Sequence, residues 1–276
     1  MRILVTGGAG FIGSHVTDVM LAAGHEVIVV DNLSSGKRAN LNPQVSAFYE
    51  LDILDADGLQ QVFAAHRPHA VSHQAALANV RESLHEPARY AEVNLLGSIN
   101  LLEAARRHDC QRIIYASTGG ACYGEPLFVP VTEDHPINPL DPYGASKHAV
   151  EHYLYLYQHN YGLAYTILRY PNVYGPRQDP LGEAGVIAIF TGAMLAGLGF
   201  RRLVLVNGAL VPELSDLAGL EAGLSIRSER IEDFRCKFGE ILCRDLPEGI
   251  PAPSITIDSE IDFSYLNFLV TKCNRF

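Results

Sequence analysis

The sequence predicts an α/β fold, a Rossmann doubly wound parallel sheet, and three observations support it. A short apolar strand runs into a glycine-rich turn over residues 3–13 (ILVTGGAGFIG), a helix-like segment follows from Ser14, and strands then alternate with helices. Gly7 permits the tight turn, Gly10 lets the backbone approach an anion, and Gly13 allows the helix to pack closely on the strand. The turn is therefore typical of a site for a dinucleotide pyrophosphate.

A second buried strand, residues 26–30 (EVIVV), ends at Asp31. This is the spacing at which an acid binds the adenosine ribose of a dinucleotide. A carboxylate there favours NAD over NADP, because it would repel a 2′-phosphate and the next residues supply no arginine. Lys37 and Arg38 are close enough in sequence to leave NADP open as an alternative.

The pattern continues as further alternating elements. We expect strands at 47–52, 70–75, 112–117 and 164–170, and helices at 56–65, 90–107 and 144–161. Ligand-binding groups are expected at the carboxyl ends of the strands. These ends carry Asp31, Asp52, residues 73–76 (HQAA), Ser117 and Thr118.

Composition narrows the class of protein. With 276 residues, of which 48% are hydrophobic, the chain can bury a sizeable core, and its net charge of −10 with scattered basic residues argues against a nucleic-acid partner. The first strand begins almost at Met1 and no apolar run approaches the roughly 20 residues that span a bilayer, so we expect a cytoplasmic protein with no membrane partner. Five cysteines, an odd number without metal-type pairs, indicate reduced thiols.

Tyr143 and Lys147 form the candidate catalytic pair. They lie four residues apart, one turn of the predicted helix, and so share a face. A tyrosine has an ordinary pKa of about 10. A lysine charge and a bound nicotinamide cation would stabilise the phenolate and lower that pKa, which makes Tyr143 the candidate base.

No metal site is predicted. His66, His69 and His73 span a helix end, a loop and a strand, with no carboxylate at ligand spacing. His148 and His152 share a helix face but lack the glutamate of the zinc-protease pattern, so a partly exposed helix face is expected. Cys110 and Cys122 are expected to be small buried hydrophobes.

Several motifs together resemble the extended short-chain dehydrogenases/reductases, and within them the UDP-glucose 4-epimerase branch. The resemblance covers about residues 1–196. It rests on residues 6–15 (TGGAGFIGSH), Asp31, residues 73–76, the run from Asn94 to Ala104, residues 117–124 (STGGACYG), the Tyr143–Lys147 pair and residues 169–177 (RYPNVYGPR).

The resemblance implies an NAD-dependent 4-epimerase acting on a UDP-sugar through a transient 4-keto sugar. Tyr143 would remove the 4-hydroxyl proton, Lys147 would bind the nicotinamide ribose, and a hydroxyl of Ser117 or Thr118 would hold the 4-oxygen, with Thr118 ranked first. Sugar-nucleotide dehydratases place an Asp-Glu pair after that threonine, whereas this chain has Gly119 and Gly120. The resemblance therefore argues against a dehydratase.

Further site residues follow from the same resemblance. Asn172 is expected at the sugar-nucleotide phosphates, and Ala78 replaces a lysine that many epimerases use as a cofactor contact. The expected cofactor contacts, besides the catalytic pair, are Gly7, Gly10, Phe11, Ile12, Gly13, Asp31, Asn32, Asp52, Ile53, Gln74, Ala75, Asn94 and Tyr170.

From about Gly197 the resemblance stops. We divide the chain into an NAD-binding domain, residues 1–196, and an atypical or truncated C-terminal region, residues 197–276, in place of the substrate-capping domain. Two explanations are open: a replacement domain, or a truncated or frame-altered gene, which we favour. The alternative function is accordingly an impaired NAD-binding module. The family also implies a homodimer through the helices at 90–107 and 144–161.

Overall fold

The computed structural model describes residues 1–180, 187–189, 200–206, 209–214, 223–224 and 254–255. The chain divides into two compact units, Met1–Ala184 and Gly185–Phe276. The predicted boundary between residues 196 and 197 falls outside the described residues.

The first unit alternates strands and helices along the chain. Its strands are β1 (Arg2–Thr6), β2 (Glu26–Asp31), β3 (Ala47–Glu50), β4 (Ala70–His73), β5 (Arg112–Thr118) and β6 (Ala164–Tyr170). Its helices are α1 (Phe11–Ala22), α2 (Ala56–His66), α3 (Val80–His85), α4 (Pro87–Tyr90), α5 (Gly97–Arg107) and α6 (Pro142–Tyr161). A π-helical segment, Ala91–Leu96, joins α4 to α5.

The six strands form one parallel sheet in the order β3-β2-β1-β4-β5-β6. This order confirms the predicted doubly wound sheet, with its switch point between β1 and β4. Strands β1 and β2 are almost entirely buried because helices cover both faces of such a sheet. The larger apolar cluster packs α2, α5 and α6 against it and includes Leu4, Phe63, Leu101, Tyr115 and Leu154.

One predicted helix differs in detail. The segment expected as a single helix over residues 90–107 consists of the end of α4, the π-helical turn and α5. The close packing of α5 on the segment after β3 requires a glycine, since a Cβ on Gly97 would lie 2.7 Å from the Ile53 side chain. Hydrophobic periodicity does not distinguish a π-turn from an α-turn, so the sequence pattern could not separate these pieces.

The second unit contains two small sheets among its described residues. Strands β7 (Phe200–Val206) and β8 (Ala209–Leu214) pair antiparallel, and β9 (Gly223–Leu224) pairs in parallel with β10 (Ser254–Ile255). Within the described residues of both units, no helix combines the length and the apolar character needed to cross a bilayer.

Candidate functional site

The glycine-rich turn forms a cradle that a side chain would fill. Gly7 has a φ of +69°, and a Cβ on it would lie 2.7 Å from the backbone nitrogen of Ala75. A Cβ on Gly13 would lie 2.0 Å from the carbonyl oxygen of Gly7. Helix α1 begins here with Gly10 as N-cap, with no side-chain cap and no acid in its first turn. The turn therefore presents an uncapped helix N-terminus, which fits a pyrophosphate.

Asp31 closes the other side of this cradle. Its carboxylate is 7% exposed and accepts hydrogen bonds from the backbone N–H of Ala9 (2.9 Å) and of Leu33 (2.8 Å). A carboxylate has about four acceptor positions, so two are left for other donors. Next to it, Asn32 Nδ2 donates to Asp52 Oδ2 at 2.7 Å, which ties the ends of β2 and β3 together.

The residues after β4 are held by Thr6 at the sheet's switch point. The backbone N–H groups of Gln74 and Ala75 approach Thr6 Oγ1 at 3.2 and 3.3 Å. Thr6 Oγ1 also lies 2.7 Å from Nδ1 of His73, whose Nε2 lies 2.9 Å from Ser98 Oγ. Burial, together with the charge of Lys147, lowers the pKa of His73 to about 3. His73 is therefore a neutral structural residue.

Asn94 stands in the π-helical segment and links two parts of the site. Its Oδ1 accepts from the N–H of Leu77 (2.8 Å), and its Nδ2 donates to the Leu77 carbonyl (3.0 Å) and to Ser146 Oγ (3.0 Å). Asn94 thus fixes the segment after β4 against helix α6. A π-turn inserted into a helix is frequently found at functional sites, and here it carries this residue.

Helix α6 carries the candidate catalytic pair, Tyr143 and Lys147. It begins at Pro142, and the Asp141 side chain caps it by accepting from the N–H of Gly144 at 2.7 Å. Tyr143 is half-buried, and Lys147, one turn later, is 3% exposed with its Nζ 4.4 Å from the centre of the Tyr115 ring. Burial lowers the pKa of Lys147 to about 7, against an opposing effect of Glu151.

Ser117 and Thr118 end β5 and turn to different partners. Ser117 Oγ donates to Glu151 Oε1 at 2.6 Å, whereas Thr118 Oγ1 accepts from the N–H of Ala121 at 3.2 Å. Ala121 in turn lies against the start of α6, since a Cβ on Gly144 would be 2.6 Å from its carbonyl oxygen. The structure therefore brings Thr118 to the segment that packs beside Tyr143.

Sequence reasoning missed Glu151 and Arg169. Glu151 is 6% exposed and receives Arg169 through two hydrogen bonds, Nε to Oε1 at 3.1 Å and Nη2 to Oε2 at 2.7 Å. Burial would raise the pKa of Glu151, but hydrogen bonds from Arg169, Ser117 and His148 hold it below its ordinary value. Glu151 lies four residues after Lys147, on the face that Tyr143 and Lys147 share, and that spacing was the signal that could have found it.

The three histidines considered as a metal cluster have separate partners. His66 bonds Tyr49, His69 accepts from the N–H of Arg2, and His73 lies between Thr6 and Ser98. His148, expected on a partly exposed helix face, lies 3.1 Å from Oε2 of Glu151 through its Nδ1.

Cys122, His148 and Glu151 have ligand atoms within 4.8 Å of one another. The guanidinium of Arg169 already supplies the cation beside Glu151. Burial, and next the Glu151 charge, raise the pKa of the Cys122 thiol to about 11, so the sulfur is protonated at neutral pH. Cys110 and Cys122 are buried, as expected from the sequence.

The remaining predicted residues lie around the same edge of the sheet. Tyr170 ends β6 opposite Thr118 in the register of β5 and β6, and Asn172 is exposed two residues later. Ile53 is buried against α5, and its carbonyl accepts from Asn100 Nδ2 at 3.2 Å.

Together, the parallel sheet, the glycine cradle and the Tyr143–Lys147 pair on α6 define a short-chain dehydrogenase/reductase of the extended type. The chain belongs to the NAD dependent epimerase/dehydratase family, which matches residues 3–212. The resemblance inferred from the motifs is thereby confirmed, and NAD is the cofactor of this family.

Similar proteins carry epimerase names. A UDP-glucose 4-epimerase of Mycolicibacterium smegmatis is 47% identical over 201 residues, which cover 71% of this chain and 64% of that protein. The Thermotoga maritima UDP-glucose 4-epimerase, solved with UDP-glucose, is 52% identical with a TM-score of 0.71, covering 74% of this chain and 66% of that one. The Thermus thermophilus UDP-glucose 4-epimerase, solved with NAD, is 54% identical with a TM-score of 0.69, covering 72% of this chain and 64% of that one. The chain thus spans less than two thirds of the length of each of these relatives.

Proposed function

We propose that this chain is an NAD-dependent nucleotide-sugar 4-epimerase of the UDP-glucose/UDP-galactose type, acting through a transient 4-keto sugar. One observation carries the proposal: Ala121 joins the Thr118 hydroxyl to the start of α6, directly beside Tyr143. A second feature supports the proposal: the same unit has an uncapped helix N-terminus at the glycine cradle, which fits a pyrophosphate. Several of the similar proteins have UDP-glucose 4-epimerase names.

The chain's own residues divide the chemistry among them. When bound, NAD would supply the hydride acceptor for the sugar carbon and, once reduced, the hydride donor to the opposite face of that carbon. Tyr143 takes the proton of the 4-hydroxyl as that carbon is oxidised and gives it back on reduction. The Lys147 ammonium stabilises the tyrosine phenolate and binds the nicotinamide ribose, while the Thr118 hydroxyl donates a hydrogen bond to the 4-oxygen.

The cofactor would lie along the switch-point edge of the sheet. We assign its pyrophosphate to the turn formed by Gly7, Gly10 and Gly13 with Phe11 and Ile12. Asp31 would bind the adenosine ribose through its two remaining acceptor positions. The other proposed cofactor contacts are Asn32, Asp52, Ile53, Gln74, Ala75, Asn94 and Tyr170.

Gly119 supports epimerisation over elimination. A Cβ on Gly119 would lie 3.0 Å from the Arg169 carbonyl oxygen, and its N–H donates to the Tyr170 carbonyl at 2.7 Å. The position therefore has little room for the acid that a dehydratase places there. Asn172, exposed beyond β6, is our proposed contact to the sugar-nucleotide phosphates.

A second copy of the chain is the proposed protein partner. Helix α6 exposes three large apolar side chains, Tyr155 (57%), Leu156 (45%) and Tyr161 (56%), on a helix whose other face packs on the sheet. Pairing of two copies through α5 and α6 would remove this surface from water. Sedimentation of the purified protein tests this, with a dimer expected.

The experiment for the proposed function is a coupled assay that interconverts UDP-glucose and UDP-galactose on purified protein, with bound NAD quantified in the same sample. We expect turnover in the wild type and its loss in Tyr143→Phe, which keeps the ring but has no proton to exchange. Stoichiometric NAD without turnover would refute the epimerase and favour an NAD-binding module instead.

A further inference from the structure

A buried ionic cluster lies one turn beyond Lys147 along helix α6. It consists of Glu151 and Arg169 with the side chains that bond to them, Ser117, His148 and Tyr123. Glu151 accepts from Ser117 Oγ (2.6 Å) and from Arg169 at both carboxylate oxygens, and Arg169 Nη1 donates to the Tyr123 hydroxyl at 2.9 Å. Its members therefore come from β5, β6, helix α6 and the segment after β5.

Every acceptor direction of Glu151 is used. Oε1 accepts from Ser117 Oγ and Arg169 Nε. Oε2 accepts from Arg169 Nη2 and lies 3.1 Å from His148 Nδ1. Such a carboxylate has no coordination position left for a metal ion, and the adjacent guanidinium would repel one. The cluster is thus complete as it stands.

The charge of Glu151 also reaches Lys147. Glu151 lies one turn after Lys147 on α6, and its carboxylate favours the protonated amine although burial disfavours it. The charged and titratable groups that face Glu151 are Arg169 from β6, His148 and Lys147 from its own helix, Tyr115 from β5, and Cys122 from the following segment. Among these, Lys147 is the group with a proposed role at the cofactor.

We propose that Glu151 is a positioning residue of the catalytic centre, kept ionised by Arg169, which fixes the Ser117 hydroxyl away from the sugar and keeps Lys147 protonated. This proposal rests on the proposed function, because the roles of Lys147 and Thr118 in the reaction come from it. It assigns the contact with the 4-oxygen to Thr118 alone.

The test measures the protonation of Lys147 directly. Lysine side chains labelled with carbon-13 at Cε are titrated by NMR in the NAD-loaded protein, with Lys147→Met to identify the signal. Replacing Glu151→Gln keeps the shape of the side chain and removes its charge. The pKa of Lys147 should fall by about one unit in this variant, and the alkaline limb of kcat should move to lower pH by the same amount.

Two variants separate positioning from folding. Glu103 on α5 is a matched control, because it accepts from Tyr157 (2.7 Å) and Arg106 (2.8 Å) at the surface of the same unit. Glu103→Gln should leave the Lys147 titration unchanged. Glu151→Asp keeps the negative charge, so the pKa of Lys147 in this variant should lie closer to the wild-type value than it does in Glu151→Gln.

Each outcome decides the proposal. A Lys147 pKa in Glu151→Gln equal to that of the wild type, with the protein folded and NAD bound, overturns it. Should Glu151→Gln fail to bind NAD, the wild type and Glu151→Gln are both titrated without NAD, and equal pKa values of Lys147 in the two overturn it as well. A wild type without turnover refutes the proposed function instead, since the NMR titration does not depend on turnover.

Discussion

The Ser117 hydroxyl donates a 2.6 Å hydrogen bond to Oε1 of Glu151. Its neighbour Thr118 contacts the N–H of Ala121 instead. Successive side chains of a strand point to opposite faces, so two adjacent hydroxyls at the end of β5 cannot serve the same partner. Ser117 donates its proton to Glu151, whereas Thr118 is the acceptor in its bond with Ala121 and keeps its own proton for donation.

Substituting the two hydroxyls should therefore have unequal effects. Thr118→Val removes the proposed donor to the 4-oxygen and should lower kcat by about 10²-fold, as loss of one such donor does in other enzymes. Ser117→Ala leaves Glu151 with three hydrogen-bond donors and should lower kcat by less than about tenfold. Steady-state kinetics on both variants checks the ranking, and a larger loss in Ser117→Ala would reverse the assignment.

The glycine cradle should tolerate no side chain at Gly13. A Cβ there would lie 2.0 Å from the Gly7 carbonyl oxygen, so Gly13→Ala must displace either the turn or helix α1. We expect a loss of NAD affinity of at least about tenfold in calorimetric titration, equivalent to about 1.4 kcal/mol. Gly120→Ala is the control, because a Cβ at Gly120 meets nothing within 4 Å. Equal NAD affinity in the two variants would contradict the cradle.

Asp31 should control the choice of cofactor. Asp31→Asn removes the charge that repels a 2′-phosphate and leaves one acceptor oxygen for two backbone N–H groups. NAD affinity should fall by about tenfold, since a hydrogen bond to a charged group contributes about 1.5–3 kcal/mol. The ratio of NAD affinity to NADP affinity should become smaller. The dissociation constants of both cofactors are compared with the wild type. An unchanged ratio of the two dissociation constants would mean that the adenosine ribose does not bind at Asp31.

His73 should make the protein sensitive to acid. An unfolded imidazole binds a proton below about pH 6.5, whereas burial keeps folded His73 neutral down to about 3. The contribution of His73 to the free energy of unfolding is therefore fully present above about pH 6.5 and is lost as the pH falls towards 3. The loss between pH 7 and pH 5 is about 2 kcal/mol. His73→Gln should flatten the pH dependence of urea unfolding by that amount. His159→Gln, at an exposed position on α6, should not.

The sequence predicted much of this architecture from local patterns. Strand β6 and helix α2 have nearly the predicted bounds, and the glycine turn with Asp31 lies where the motif places it. The buried cluster could not be read in the same way, because Ser117, Glu151 and Arg169 meet only after β5, α6 and β6 pack together. A buried polar side chain and an exposed one have the same letter in a sequence, and only tertiary packing distinguishes them.

The π-turn illustrates the same limit. Asn94 was predicted as a cofactor contact, and the structure gives its side chain bonds to Leu77 and Ser146. Its role as a link between the segment after β4 and helix α6 depends on a local change in helical winding. Periodicity could not show that change, and the prediction of a cofactor contact stays a prediction.

The most direct measurement follows deuterium at the C4 carbon of the sugar. UDP-galactose labelled with deuterium at C4 is converted by the NAD-loaded wild type, and the UDP-glucose formed is analysed by NMR. Because the proposed chemistry moves the hydride to the cofactor and back to the same carbon, we expect the deuterium at C4 of the product. Product that has lost the label to solvent, or no product from protein that binds NAD, would contradict the account.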